Sequence, residues 1–324
     1  MRRLPLISVV TPCYNEEENV SELYARVKAV FATLPQYRYE HIFIDNASTD
    51  GTVAVLKALA GDDDHVKIIV NARNFGHIRS PYYAMMQAQG DAVISIVSDL
   101  QDPPELITEF LQQWEAGYKV VLGIKTASEE SKIMYALRGL YYRTLRKLSD
   151  VELIEHYTGF GLYDQRVIAI LRTVDDAYPY FRGLIAEIGF PSAKITYTQP
   201  QRKHGKTKNN FFTLFDIAML GMTSYSRVPM RLATFVGLGC ALLSLLIALV
   251  YFVLKLLMWS QIQIGIAPLV IGIFFFSSVQ LTFLGLLGEY IGAIHTQALK
   301  RPLVVELERI NFAAEMEEKE LVTK

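Results

Sequence analysis

The chain has 324 residues, 32 Lys and Arg against 33 Asp and Glu, a formal net charge of -1 and 51% hydrophobic residues. That balance excludes a nucleic-acid binder, which needs an excess of cations to neutralise phosphates, so any anionic partner has to be met by a local basic patch. Two cysteines, Cys13 and Cys240, lie far apart in unlike surroundings and give neither a disulfide framework nor a zinc site.

Arg2 and Arg3 precede an apolar run as in a signal peptide, but the run is short and is broken by Pro5 and Pro12. It reads as a first β-strand, which keeps the N-terminal part in the cytosol. From there short β-branched runs alternate with segments of helical periodicity. Strands are expected at Leu6–Val10, His41–Ile44, Val66–Val70, Ala92–Val97 and Lys119–Leu122, and helices near 17–33, 51–60, 78–89 and 103–116. Such alternation predicts right-handed βαβ units and a mainly parallel sheet. A polar segment begins where each of four strands ends: Thr11 to Glu16, Asp45-Asn46, Asn71 to Asn74, and Ser98 to Asp102. In an open parallel sheet these ends share the rim at which ligands bind.

No Gly-x-Gly-x-x-Gly follows the first strand, and Gly205-Lys206-Thr207 lacks the strand-loop-helix frame of a P-loop. Carboxylates on such a rim suit a mobile diphosphate when a hard divalent cation lies between them, and Asp99 is the natural ligand. Further on, no charge occurs over Leu232–Leu254 or Ile262–Gly288, each long enough to cross a ~30 Å hydrocarbon core as a helix. Only Lys255 to Gln261 separate them, with Trp259-Ser260-Gln261 as the link beyond the apolar residues, which predicts a two-helix transmembrane hairpin. Arg227 and Arg231 before it, and Lys300 and Arg301 after it, place both flanks in the cytoplasm. Gly285, Gly288 and Gly292 suit close helix packing, and a closed homo-oligomer is expected.

The ordered segments Thr11-Pro12-Cys13-Tyr14-Asn15-Glu16, Asp45-Asn46-Ala47-Ser48-Thr49-Asp50-Gly51, Arg73-Asn74-Phe75-Gly76, Ser98-Asp99-Leu100-Gln101-Asp102-Pro103-Pro104, Phe181-Arg182-Gly183-Leu184 and Arg202 to Lys208 carry a resemblance. They resemble the inverting GT-A glycosyltransferases, and within them the polyprenyl-phosphate transferases that include bactoprenol glucosyltransferases and dolichol-phosphate mannose synthases. The resemblance implies an α/β GT-A domain over 1–208, an interfacial helix in 209–231, the helical hairpin in 232–295 and a cytosolic tail over 296–324. It implies a nucleotide diphosphate-sugar donor, UDP-glucose favoured over GDP-mannose, and a polyprenyl phosphate acceptor at the bilayer surface. Pro12, Tyr14, Glu16 and Asp45 would surround the nucleoside, and Arg73 would face the diphosphate or the sugar. Asp99 would be the catalytic centre, holding Mg2+ or Mn2+ together with Gln101.

Two positions depart from the family pattern. Val97 stands where the Asp-x-Asp motif has its first carboxylate, and Tyr157 stands where many relatives have an Asp before Thr-Gly. The residues allow other duties as well: Asp45, Ser48, Asp50 and Asp102 each precede a helix and suit capping. The acceptor phosphate needs a cationic socket, for which Arg202, Lys206 and Lys208 are the expected residues, with Arg143 from the amphipathic stretch Lys132–Lys147. A GDP-mannose-dependent synthase and a membrane scaffold with weak activity are the alternatives. A processive polysaccharide synthase is disfavoured by the small membrane portion and the lack of Gln-x-x-Arg-Trp.

Overall fold

The computed structural model describes residues 3–127, 154, 157–200, 219, 228–257 and 266–312. The expected βαβ alternation opens the chain: β1 (Leu6–Cys13), α1 (Val20–Ala32), β2 (Arg38–Asp45), α2 (Thr52–Asp62), β3 (Val66–Asn71), α3 (Gly76–Gln87), β4 (Ala92–Ser95) and α4 (Ile107–Glu115). Then follow β5 (Val120–Ala127), β6 (Tyr157–Asp164), α5 (Gln165–Arg172), α6 (Phe181–Ile188), β7 (Ser192–Thr198), the long helices α7 (Val228–Leu257) and α8 (Ile266–Ala298), and β8 (Glu306–Ile310).

The eight strands form one sheet in the order β7-β5-β6-β4-β1-β2-β3-β8. Its centre is parallel, β4-β1-β2-β3, as the alternation predicts. The sheet is nevertheless mixed: β6 runs antiparallel to β4 and β5, and β8 antiparallel to β3. The central strands are buried on both faces, which explains why they read as unbroken apolar runs. One face packs Ile7, Val9 and Ile94 against Leu23, Val27 and Phe31 of α1 and Phe110 of α4. The other packs Val10, Ile42 and Ile44 with Tyr82 and Met85 of α3 and Val167 and Leu171 of α5.

Two compact units result, and the sequence order of their parts is informative. Residues 1–142, 151–210 and 299–324 make the α/β unit, and 143–150 with 211–298 make the other. The segment after α8, expected as a separate tail, thus returns to the sheet as β8. Ala72 N–H donates to Val305 O at 2.9 Å, Lys57 pairs with Glu308, and Asn311 Nδ2 donates to Ala60 O and Val66 O. This return covers the β3 edge, which would otherwise offer unpaired backbone groups.

In the second unit α7 and α8 turn their apolar side chains outward. Leu238 and Leu245 of α7 and Phe274 and Leu281 of α8 are each about two-thirds exposed. Among the described residues one helical segment, Gly272–Ala298, is long and apolar enough to cross a membrane, and Leu232–Ile247 is a shorter apolar stretch. Most of the expected interfacial helix (209–231), the amphipathic stretch Lys132–Lys147, and the expected phosphate contacts Arg143, Arg202, Lys206 and Lys208 lie outside the described residues, while the last four residues of 209–231 already belong to α7.

Candidate active site

The carboxyl ends of β1, β2, β3 and β4 do share one rim, and three of its loops hold a non-glycine residue in the left-handed region: Asn15, Ala47 and Leu100, with φ of 56°, 61° and 60°. Asn tolerates this conformation, but Ala and Leu do so at a cost of order 1–3 kcal/mol, which persists only where surrounding contacts fix the loop. Those contacts are present between the first two loops. Asn15 N–H donates to Ser48 Oγ at 2.8 Å, Glu16 N–H to Thr52 Oγ1 at 2.9 Å, and Thr49 N–H to Asn15 Oδ1 at 2.8 Å. Glu16, which is buried, receives Asn19 Nδ2 at 2.6 Å. Pro12 and Tyr14 stand half-exposed above it.

Asp45, at the end of β2, is fully buried. Its Oδ2 accepts the Ser48 N–H at 2.9 Å, whereas its Oδ1 has no partner. Burial pushes its carboxyl above the usual range, against the hydrogen bonds from Ser48. One oxygen shapes the turn that precedes α2 without capping the helix itself, and the other is buried without a partner. Asp50 differs, since its Oδ1 takes both Thr52 N–H and Thr52 Oγ1–H at the entrance to α2, a capping duty. The Cys13 thiol lies beneath, buried beside Asp45 and Glu16; burial and these carboxylates hold it neutral, and Ser98 reaches it from the β4 loop.

The third loop hangs on Asn46, a residue the sequence places beside Asp45 without revealing its weight. Asn46 Nδ2 donates to Asn74 Oδ1 at 2.9 Å and Gly76 O at 3.2 Å. Its Oδ1 accepts from Asn71 Nδ2 at 3.0 Å and Phe75 N–H at 2.9 Å. One amide thus fixes the path from β3 into α3. Arg73 is carried outward on that path, exposed, with its guanidinium 4.0 Å from the Phe75 ring centre and donating to Asn74 O.

In the fourth loop Asp99 Oδ1 accepts the Gln101 N–H at 3.2 Å, and Gln101 Nε2 reaches Pro200 O at 3.5 Å. With its N–H2 engaged there, the Gln101 amide keeps its oxygen for another partner. Asp102 neither caps a helix nor faces the rim. It is buried and accepts Tyr197 Oη–H at 2.5 Å, and burial pushes its carboxyl up to about 6. Among the described residues no group of three His, Cys, Asp or Glu side chains is gathered for a metal. Asp99 and Gln101 offer one carboxylate and one amide oxygen. That set fits Mg2+ or Mn2+ only as a completion of a diphosphate's own oxygens, because Mg2+ binds through one or two carboxylates plus phosphates.

β6 begins at the same rim, since it runs antiparallel to β4. Tyr157, in the place of the family Asp, is buried with its hydroxyl hydrogen-bonded to that of Tyr163, so it presents no base to the rim. Arg182, at the start of α6, donates to Tyr157 O at 3.3 Å.

Comparisons with known proteins agree with this geometry. The model of Glycosyl transferase family 2 matches residues 8–172, the span that holds all four rim loops. The uncharacterized glycosyltransferase YkcC of Bacillus subtilis (strain 168) is 34% identical over 92% of this chain and 92% of its own. The bactoprenol glucosyl transferase of Shigella phage SfV is 32% identical over 91% of this chain and 96% of its own. Among solved structures, glucosyl-3-phosphoglycerate synthase from Mycobacterium tuberculosis, in complex with Mn2+, UDP and phosphoglyceric acid, is 18% identical over 68% of this chain and 76% of its own, with a TM-score of 0.49. A GT-A-like mixed sheet whose rim loops lie within the matched span is thus a glycosyltransferase, and the chain belongs to glycosyl transferase family 2.

Proposed function

We propose that this chain transfers glucose from UDP-glucose, with inversion, to the phosphate of a polyprenyl phosphate at the cytosolic face of a membrane. The observation that carries the reading is likeness to a bactoprenol glucosyl transferase over 91% of the chain, a span that extends beyond the rim into the apolar helices.

In this reading the partnerless Oδ1 of Asp45 accepts a hydrogen bond from the base or ribose, between Pro12, Tyr14 and Glu16. Arg73 swings from Phe75 to the diphosphate. Asp99 and Gln101 would hold Mg2+ or Mn2+, which would supply charge neutralisation for the departing nucleotide. The acceptor needs no general base. A phosphate monoester is anionic at pH 7, its second pKa being about 6, so the site keeps only the tasks of orientation and charge compensation. The buried, hydrogen-bonded Tyr157 in place of a carboxylate is consistent with such an acceptor. Arg202, Lys206, Lys208 and Arg143 are proposed to meet the lipid phosphate on grounds of sequence.

Chain topology favours two crossings. β7 and β8 lie in one sheet, and α7 and α8 intervene between them. A chain that leaves a domain and returns to it crosses a bilayer an even number of times. If α8 crosses, α7 with its 30 residues, about 45 Å at 1.5 Å per residue, is the described partner for the return. A groove lined by Gly237, Cys240 and Ser244 of α7 and by Phe276, Phe283 and Leu287 of α8 runs between the two.

The test is a donor panel with purified full-length protein in neutral detergent, polyprenyl phosphate and Mg2+. UDP release with formation of an acid-labile glucosyl lipid is expected from UDP-glucose. Turnover confined to GDP-mannose would overturn the donor assignment, and none with any donor would favour a scaffold.

A further inference from the structure

Beyond the Asp99 loop, the rim holds two guanidinium groups and an imidazole that the reading above does not use. His77 and Arg79 lie in the first turn of α3, and Arg182 in the first turn of α6. The two helix starts are brought together by packing: the Phe181 ring meets Tyr82 edge-on at 6.4 Å and Tyr163 at 5.1 Å. Arg79 lies 5.4 Å from the Tyr178 ring centre and Arg182 5.8 Å from that of Tyr180, so both guanidinium groups border the 178–182 turn. Arg79 Nε is buried without an acceptor. His77 and Arg182 are close enough to feel each other: desolvation, then the charge of Arg182, holds the imidazole below its usual value. Among the described residues none of the three forms an ion pair with a carboxylate.

Two guanidinium groups that border one turn without an ion-paired carboxylate, beside an imidazole, form an arrangement that an anion stabilises. Position says which anion. Along the sheet, Asp45 lies on β2, Glu16 follows β1, Asp99 follows β4, and Arg182 stands over the first residue of β6. A donor whose nucleoside sits at β2 and whose diphosphate sits at Asp99 has its leaving group over β4. The next place along the rim, about one strand spacing of 4.8 Å further, is where an acceptor arrives. We propose that His77, Arg79 and Arg182 form a cradle for the phosphate of the acceptor, separate from the Asp99 loop that serves the donor. The inference rests on the phosphate-acceptor reading. It gives the described part of the chain a share in holding that phosphate, beside the segment around Arg202.

The experiment compares wild type, Arg182→Ala, Arg79→Ala and Arg182→Lys, all full-length in neutral detergent, through two independent readouts. In steady-state kinetics at saturating UDP-glucose, Arg182→Ala should raise the KM for polyprenyl phosphate roughly tenfold or more, the loss of a charge-assisted contact. The UDP-glucose KM should stay within about twofold, and Arg182→Lys should recover part of the loss. In calorimetry without donor, farnesyl phosphate should bind wild type and bind Arg182→Ala and Arg79→Ala at least fivefold more weakly, while farnesol, which lacks the phosphate, should not distinguish them. Unchanged farnesyl phosphate binding in both Ala variants, a loss shared equally by farnesol, or a loss confined to UDP-glucose would overturn the cradle. Retained discrimination in calorimetry with no wild-type turnover would leave the cradle standing and remove only the glucosyl-transfer reading.

Discussion

The two ends of the rim are built on opposite plans. Over β1, β2 and β3, nearly every polar group is tied to a neighbouring loop: Asn15 to Ser48 and Thr49, Glu16 to Thr52, Asn46 to Asn71, Asn74, Phe75 and Gly76. Over β4 and β6, Asp99 accepts one backbone N–H, and Arg182 donates to one carbonyl. In the proposed reaction the closed end would hold the rigid, uncharged nucleoside in one pose, and the open end would keep its charges for the groups whose charge changes. Preorganisation is useful in both, but at the open end it has to come from the loops below, because a charge already satisfied by its neighbours has little left for substrate.

The largest effect that separates the two ends is expected from Asp99→Ala. Loss of the proposed metal carboxylate should lower kcat/KM with UDP-glucose by about 4 kcal/mol, roughly a thousandfold, and leave the melting temperature within about a degree. A drop in melting temperature of several degrees would show that the open end is structural after all. Asn46→Ala should do the reverse. It removes four hydrogen bonds, strands the Phe75 N–H and leaves the buried Asn71 amide only its bond to Ser80 Oγ, so about 3 kcal/mol of stability should be lost in urea unfolding. Asn46→Asp keeps the acceptor but not the donors and should fall between.

A smaller effect comes from beneath the closed end. His41 on β2 is fully buried, bonded to Thr11 Oγ1 at 3.0 Å with its Nδ1 partnerless, and burial pushes its pKa down to about 3. A depressed pKa means that the unfolded chain takes up a proton the folded one refuses, so stability present above about pH 6.5 is lost as pH falls towards 3. Between pH 6.5 and 5 this amounts to about 2 kcal/mol. His41→Gln, which does not titrate, should be less sensitive to pH than wild type by that amount, and parallel curves would refute the neutral buried imidazole. The smallest effect is expected from Asp45→Asn. It keeps the Ser48 turn but changes the acceptor oxygens of the carboxylate, and should weaken UDP binding by about 1.5 kcal/mol, near tenfold, in calorimetry. Unaltered UDP binding would move the nucleoside away from the Oδ1 of Asp45.

Much of this was legible in the chain. Continuous apolar runs marked the four parallel strands, the polar residues after them marked the rim, and the charge-free stretches marked the long helices α7 and α8, because burial on both faces and an apolar surface all round each leave a local pattern. The family motifs likewise singled out Asp45, Arg73 and Asp99, which stand at or just after the carboxyl ends of β2, β3 and β4. Three things waited for tertiary structure. β8 is a short strand with three charged residues in five, and only its pairing with β3 identifies it. Asp102 looks like a helix cap or a ligand until Tyr197, distant in sequence, is seen to claim it. His77, Arg79 and Arg182 are separate residues on two helices until Phe181 packs between Tyr82 and Tyr163 and draws those helices together. Local pattern records what a segment buries; which polar groups face one another depends on contacts between segments far apart in the chain, and no single segment carries that information.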